Sequence, residues 1–395
     1  MVCCRSILFI GLFVVASAVP AAKLSSLDMV NQAMLMAAEA GRHDLVAYML
    51  DRGAQIEVRD IRPQEHTALM LAAAHGHSKV LELLLEHGAV VDARATDHST
   101  ALMQAASAGH VNVIKQLLKR GADIHARDDP DGNTALMLAA SGGYEAAVRE
   151  LLEGGADPNV ANTRGANTPI MLAAAAPGGM QSVIELIVGG ADVNAQRNDG
   201  WTALLAAARR GDAKIAQLLL ANKAHIDAHT EDGRTALLVA SEHGSLGMVN
   251  TLLTAGADMG TRAHSGESVL GRAVAGGHNL LVDRLLAAGA DIDGPGREEQ
   301  TPLMIAARSG RARSVALLLK HGADVNAIDA KNGNTALMLA ANRGLIGIVE
   351  LLLAASANIN IRSKDGWTAL TAAEMIGDTE IADIIRKAST RSGAE

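Results

Sequence analysis

Thr134-Ala-Leu-Met-Leu-Ala-Ala140 decides how this chain is read, because Thr67–Ala73 and Thr335–Ala341 spell the same seven residues. A Thr ahead of short apolar helix formers is a helix start: its hydroxyl accepts an orphan amide of the first turn, and Ala and Leu propagate the helix. Nine residues after each Thr stands a Gly (Gly76, Gly143, Gly344), suited to the left-handed residue that ends a helix. A second apolar-periodic stretch follows, as in Val80-Leu81 and Leu84-Leu85, and stops at a Gly-Ala pair such as Gly88-Ala89. Asp-Val-Asn-Ala or a relative comes next (Asp192–Ala195, Asp324–Ala327). A turn such as Asp199-Gly200 then leads to the next Thr.

Outward from these copies the pattern fills the chain. Thr100, Thr168, Thr202, Thr235, Thr301 and Thr368 head further copies, and Ser268 and Gln32 stand in the same place in two more. The spacing is 33 to 35 residues, giving eleven units between about residues 24 and 388. Each unit is a helix, a turn, a helix and a projecting hairpin. Neither helix can bury its apolar face alone, so the units must stack. The expected fold is an all-α repeat solenoid of stacked helix-turn-helix units with projecting β-hairpin loops.

The repeat resembles the ankyrin repeat, whose Thr-Pro-Leu-His-x-Ala-Ala appears here as Thr-Ala-Leu-Met-Leu-Ala-Ala. The resemblance implies a non-catalytic protein-binding module that works through its hairpin tips and concave face. Several positions depart from the family pattern. Only Pro169 and Pro302 keep the family's proline. Met70, Met103, Met137, Met171, Met304 and Met338 replace its histidine, so the hydrogen bonds that this histidine gives between repeats cannot form. Methionine there is expected to fill the core. Lys223 and Ser356 replace the Gly that ends the second helix, where a left-handed backbone would strain them. Ala176-Pro177-Gly178-Gly179 carries one extra residue between two helices, which either bends the stack or lengthens a turn. Thr371, Glu374 and Arg386 in the last unit, and Ser25, Ser26, Asp28, Asn31 and Gln32 in the first, are the polar faces expected of terminal caps.

The N-terminus reads as a targeting segment. Arg5 precedes the apolar run Ile7–Val15, and Ala16-Ser17-Ala18 supplies small residues for a cut, so residues 1–18 are expected to be a signal peptide. The alternative is an uncleaved membrane anchor, for which the uncharged stretch of 17 residues from Ser6 to Ala22 is short. Cys3 and Cys4 would leave with the peptide. An exported, periplasmic or secreted protein without cysteine then remains, ending in a polar tail from 389 to 395. Its net charge would be −9, against −8 for the whole chain, since one Arg and no acid are lost. The basic residues are evenly spread, which argues against a nucleic-acid partner.

No catalytic motif is present, and nothing calls for a cofactor or a metal. His75, His77 and His87 hint at a metal site, but His77, like His110 and His278, falls in or beside the slot that starts a second helix, and a repeat role explains it. The acid clusters Asp128-Asp129-Asp131 and Glu298-Glu299 fit turns, and the latter is expected to stand away from any binding face. Trp201 and Trp367 directly precede capping Thr residues, as loop-root packing or as interface anchors. The residues seven and eight after each Thr face the concave side in the family. In the first half they are mostly small, with His75 the exception. Later they become Arg209-Arg210, Glu242-His243, Ala275-Gly276, Arg308-Ser309 and Asn342-Arg343. The protein-binding candidates are therefore Trp201, Trp367, Arg209, Arg210, Arg234, Arg308 and Arg343, with an acidic protein surface as the partner. The competing function is a regulatory or protective subunit tethering a single exported enzyme.

Overall fold

The computed structural model describes residues 26–392, so the segment read as a signal peptide lies outside the described residues. These residues form twenty-two α-helices, a single 3-10 turn and no extended strand. The chain divides into two compact units, Met1–Pro169 with Ala176–Ala191, and Ile170–Ala175 with Asp192–Glu395. The division falls beside the inserted Ala176-Pro177-Gly178-Gly179.

In the first unit, Ser26–Glu39 and His43–Asp51 are followed by three helix pairs and by Met180–Val188. The pairs are Ala68–Ala74 with Ser78–Glu86, Ala101–Ser107 with Val111–Lys119, and Ala135–Ser141 with Glu145–Glu153. In the second unit the pairs begin with Ala203–Arg210 and Ala213–Ala221, and end with Ala369–Met375 and Thr379–Ser392. The final helix thus runs into the stretch read as a tail. The opening helix also differs from expectation: Gln32 lies inside Ser26–Glu39 and not at a helix start.

Each inner helix is made by its cap. The hydroxyls of Thr67, Thr100 and Thr134 accept the N–H of Met70, Met103 and Met137, and Thr202, Thr235, Thr301 and Thr335 do the same in the second unit. Each such cap stabilises by about 1 kcal/mol. Thr168 is the exception: its buried hydroxyl has no partner. The inner helix Ala68–Ala74 is apolar all round, and Ala68 through Ala73 are all buried. The outer helices keep one stripe inward, as with Val80, Leu81 and Leu84. The methionine column is core: Met70, Met103, Met137, Met171, Met304 and Met338 are all buried.

The ties that the missing family histidine would have made are supplied from another slot. His77 Nε2 donates to the Glu39 carbonyl at 2.9 Å and His110 Nε2 to the Ala74 carbonyl at 3.0 Å. In the second unit His278 donates to the Glu242 carbonyl and Arg311 Nε to that of Ala275. All four residues open an outer helix and reach back to the end of the preceding inner helix. The turn glycine beneath them is therefore required twice. Gly76 has φ +73°, and a Cβ there would lie 2.7 Å from the His110 ring; Gly41 stands likewise under His77.

A second ladder joins the outer turns. Asn194 donates its amide to the Lys223 carbonyl at 3.1 Å and accepts the His225 N–H at 2.7 Å, and Asn326 accepts the Asn358 N–H. The projecting loops are tied to each other by backbone bonds, such as Glu231 N–H to Asp199 O and His264 N–H to Asp232 O. Among the described residues their antiparallel pairing is confined to isolated bridges, Arg59–Thr67, His229–Thr235 and Arg262–Ser268.

Lys223 and Ser356 adopt the left-handed backbone, at φ +66° and +64°. Nothing lies within 4 Å of the corresponding Cβ position at Gly53, Gly88, Gly256 or Gly322, so strain there is conformational, not steric. Lys223→Gly and Ser356→Gly should each raise stability by about 1 kcal/mol. Chemical denaturation checks this, and unchanged or lowered midpoints for both would refute it.

Candidate functional site

The second unit contains every candidate residue, in two registers. Trp201, Arg234 and Trp367 each stand one residue before a capping Thr, at the root of a projecting loop. Arg209, Arg210, Arg308 and Arg343 stand at the other end of the inner helices, about 10 Å away along a seven-residue helix. The two groups do not form one cluster.

At the loop roots, Trp201 is half-buried and its backbone N–H donates to the Asp199 carboxylate. Trp367 is exposed, and its N–H donates to the Ser363 hydroxyl. Arg234 pairs with Asp232 at 2.7 Å. Burial pushes the Asp232 carboxyl up, but the Thr230 hydroxyl and the Arg234 guanidinium outweigh it and hold the group below its usual value. These contacts stay inside the loops.

At the inner-helix ends the chemistry is open. Arg209, Arg210 and Arg343 are exposed, and Arg209 and Arg343 make no ion pair among the described residues. Arg210 Nη1 lies 3.4 Å from the Ala175 carbonyl, a long and weak contact. Arg308 differs: it pairs with Glu298 at 3.1 Å. The expectation that Glu298 and Glu299 stand apart from this face is therefore wrong for Glu298. Two successive left-handed residues, Glu298 at φ +59° and Glu299 at +60°, turn that loop, and the long Arg308 side chain reaches it. Between the two Arg groups the row is interrupted, because Glu242 pairs with Arg272 at 3.4 Å and Ala275-Gly276 carry no charge. The row thus presents two cationic groups, Arg209-Arg210 and Arg343, with Arg308 already partly neutralised.

The same register continues to Met375 and Ile376, seven and eight residues after Thr368, which are 61% and 45% exposed. The sequence reading ended this row at Arg343 and missed them, although the same count from the capping Thr finds them. The three histidines that hinted at a metal site have other work. His75 Nδ1 donates to the Leu71 carbonyl, His87 Nδ1 to that of Leu83, and His77 makes the repeat tie described above. Among the described residues no helix is long and apolar enough to cross a membrane.

Comparison with known proteins agrees with the geometry. A family model described as ankyrin repeats (3 copies) matches residues 22–95, 90–162, 126–195, 170–263, 256–329 and 327–391. Among solved structures, the crystal structure of the human ASB11 ankyrin repeat domain is similar at 30% identity and a TM-score of 0.51. That similarity covers 56% of this chain and 98% of the ASB11 domain. No curated protein matches.

Proposed function

This chain belongs to the ankyrin repeat family, whose members bind protein partners, and we propose that it is a non-catalytic interaction scaffold of eleven repeats that grips an acidic protein surface with its inner-helix ends. The observation that carries this reading is the pair of exposed cationic groups, Arg209-Arg210 and Arg343, on a chain whose net charge is −8. On so acidic a molecule, unpaired Arg at one register is a local feature, and planar guanidinium matches carboxylates in bidentate fashion. The inner helix Ala203–Arg210 is buried from Ala203 to Ala208 and exposed only at its Arg209-Arg210 end. The reading of Arg5 and the apolar run up to Val15 adds an exported compartment.

Co-purification from the exported fraction tests this, with mass spectrometry of what is retained. Retention of acidic proteins that are released by raising the salt is the expected result. A single stoichiometric enzyme would favour the tethering subunit instead, and retention unaffected by salt would overturn the acidic-surface reading.

A further inference from the structure

The Glu298 loop departs from its neighbours in what its acid reaches. Asp199, Asp232 and Glu298 each stand three residues before a capping Thr. Asp199 pairs with Arg197 at 3.0 Å and Asp232 with Arg234 at 2.7 Å, so both stay within their own loops. Glu298 instead leaves its loop and pairs at 3.1 Å with Arg308, in the row of inner-helix ends. That placement costs the loop. Gly200 and Gly233 supply the left-handed residue after the two Asp, whereas Glu299 fills that slot at φ +60° and Glu298 is itself left-handed at +59°. Both are L residues in a conformation they disfavour. Gln300, next in the chain, is buried and its Oε1 has no partner. An exposed ion pair returns little against such costs, so stability alone does not account for the placement. The pair also stays within reach of a partner, since the Arg308 and Glu298 side chains are 38% and 37% exposed.

We propose that Glu298 is a specificity-determining residue of the row: a resident competitor that occupies Arg308 and that a partner's carboxylate must displace. This inference rests on the acidic-partner reading above and adds that the row's affinity is set from within the chain. Arg308 and Arg343 belong to adjacent repeats, and neighbouring packed helices lie about 8–10 Å apart. A partner segment held at Arg343 by one carboxylate therefore brings its next acid to Arg308. There it exchanges with Glu298, carboxylate for carboxylate, and the number of ion pairs does not rise. Arg308 thus adds little to binding while Glu298 is charged. Removing that charge turns Arg308 into a full contact.

Fluorescence anisotropy of the full chain with a labelled glycine-serine peptide carrying four consecutive Glu tests it. Glu298→Gln should bind the peptide about two- to fivefold more tightly than the unaltered chain, the range over which an exposed ion pair competes. Glu299 makes no ion pair among the described residues, so Glu299→Gln removes the same charge from the same loop and should change binding by less than about twofold. Arg308→Ala should hardly weaken binding by the unaltered chain and should cancel the gain in the Glu298→Gln variant. Far-UV CD monitors folding, and Glu298→Gly, which also relieves the backbone, serves if the Gln variant misfolds. Equal affinities of the Glu298→Gln and Glu299→Gln variants would reduce the effect to bulk charge. That result would overturn this inference and leave the acidic-partner reading standing, as would an Arg308→Ala loss of the same size with and without Glu298. Failure of the peptide to bind the unaltered chain and the Glu298→Gln variant alike would overturn both.

Discussion

Gly76→Ala should destabilise the protein by about 3 kcal/mol, and Gly88→Ala in the same repeat by about 1 kcal/mol. Both glycines have left-handed backbone, at φ +73° and +88°, so both substitutions force an L residue into a conformation it disfavours. Only Gly76 carries a second demand. Its new methyl would lie 2.7 Å from His110 Nδ1, and that ring is held in place by its bond to the Ala74 carbonyl. Nothing lies within 4 Å at Gly88. The extra cost is therefore overpacking plus the loss of an inter-repeat hydrogen bond, itself about 1 kcal/mol. Guanidinium denaturation measures the difference. The double variant Gly76→Ala, His110→Ala separates the terms. It should be more stable than the sum of the single changes predicts, because removing the ring relieves the clash. Equal losses at Gly76 and Gly88 would show that the ring moves aside freely and that the tie contributes nothing.

Much of this was legible in the chain itself. The Thr caps, the two glycines per repeat and the left-handed Lys223 and Ser356 follow from local backbone chemistry, which sequence spacing reports directly. The buried methionine column followed from helical period. What the sequence concealed was mostly contact between residues about one repeat apart. Nothing local reveals that His110 sits over Gly76 or that Asn194 latches onto Lys223 and His225, and Arg308 reaches Glu298, ten residues back, only because two left-handed residues turn that loop. The candidate site was legible in the same uneven way. Arg209 and Arg343 stand at the ends of inner helices, where the count from the capping Thr places them. Arg234 and the two Trp belong to the loop roots, and their partners Asp232, Asp199 and Ser363 lie within a few residues of them. Met375 and Ile376 stand at the same count from Thr368 but carry no charge to mark them.

Replacing Arg209, Arg210 and Arg343 together by Ala should weaken binding of the co-purified acidic partner about tenfold or more at low salt. Exposed ion pairs contribute roughly 0.2–1 kcal/mol each, and three of them sum to that scale. Arg308→Ala should cost less than Arg343→Ala, because Arg308 must first surrender Glu298. Most of the loss should disappear as salt screens the pairs. Folding should not change, since these side chains stand outside the buried core. The matched control is Arg313→Ala with Lys320→Ala, two exposed cations on the outer helix Ala312–Lys320 that change net charge in the same direction.

Whether the inner-helix ends of residues 192–395 hold the partner is decided by a binding titration of these two variants against the unaltered chain, repeated across salt concentrations. Weak, salt-insensitive residual binding is expected of the inner-row variant, and nearly unaltered binding of the outer-helix control. Equal weakening in both, or none in either, would contradict it.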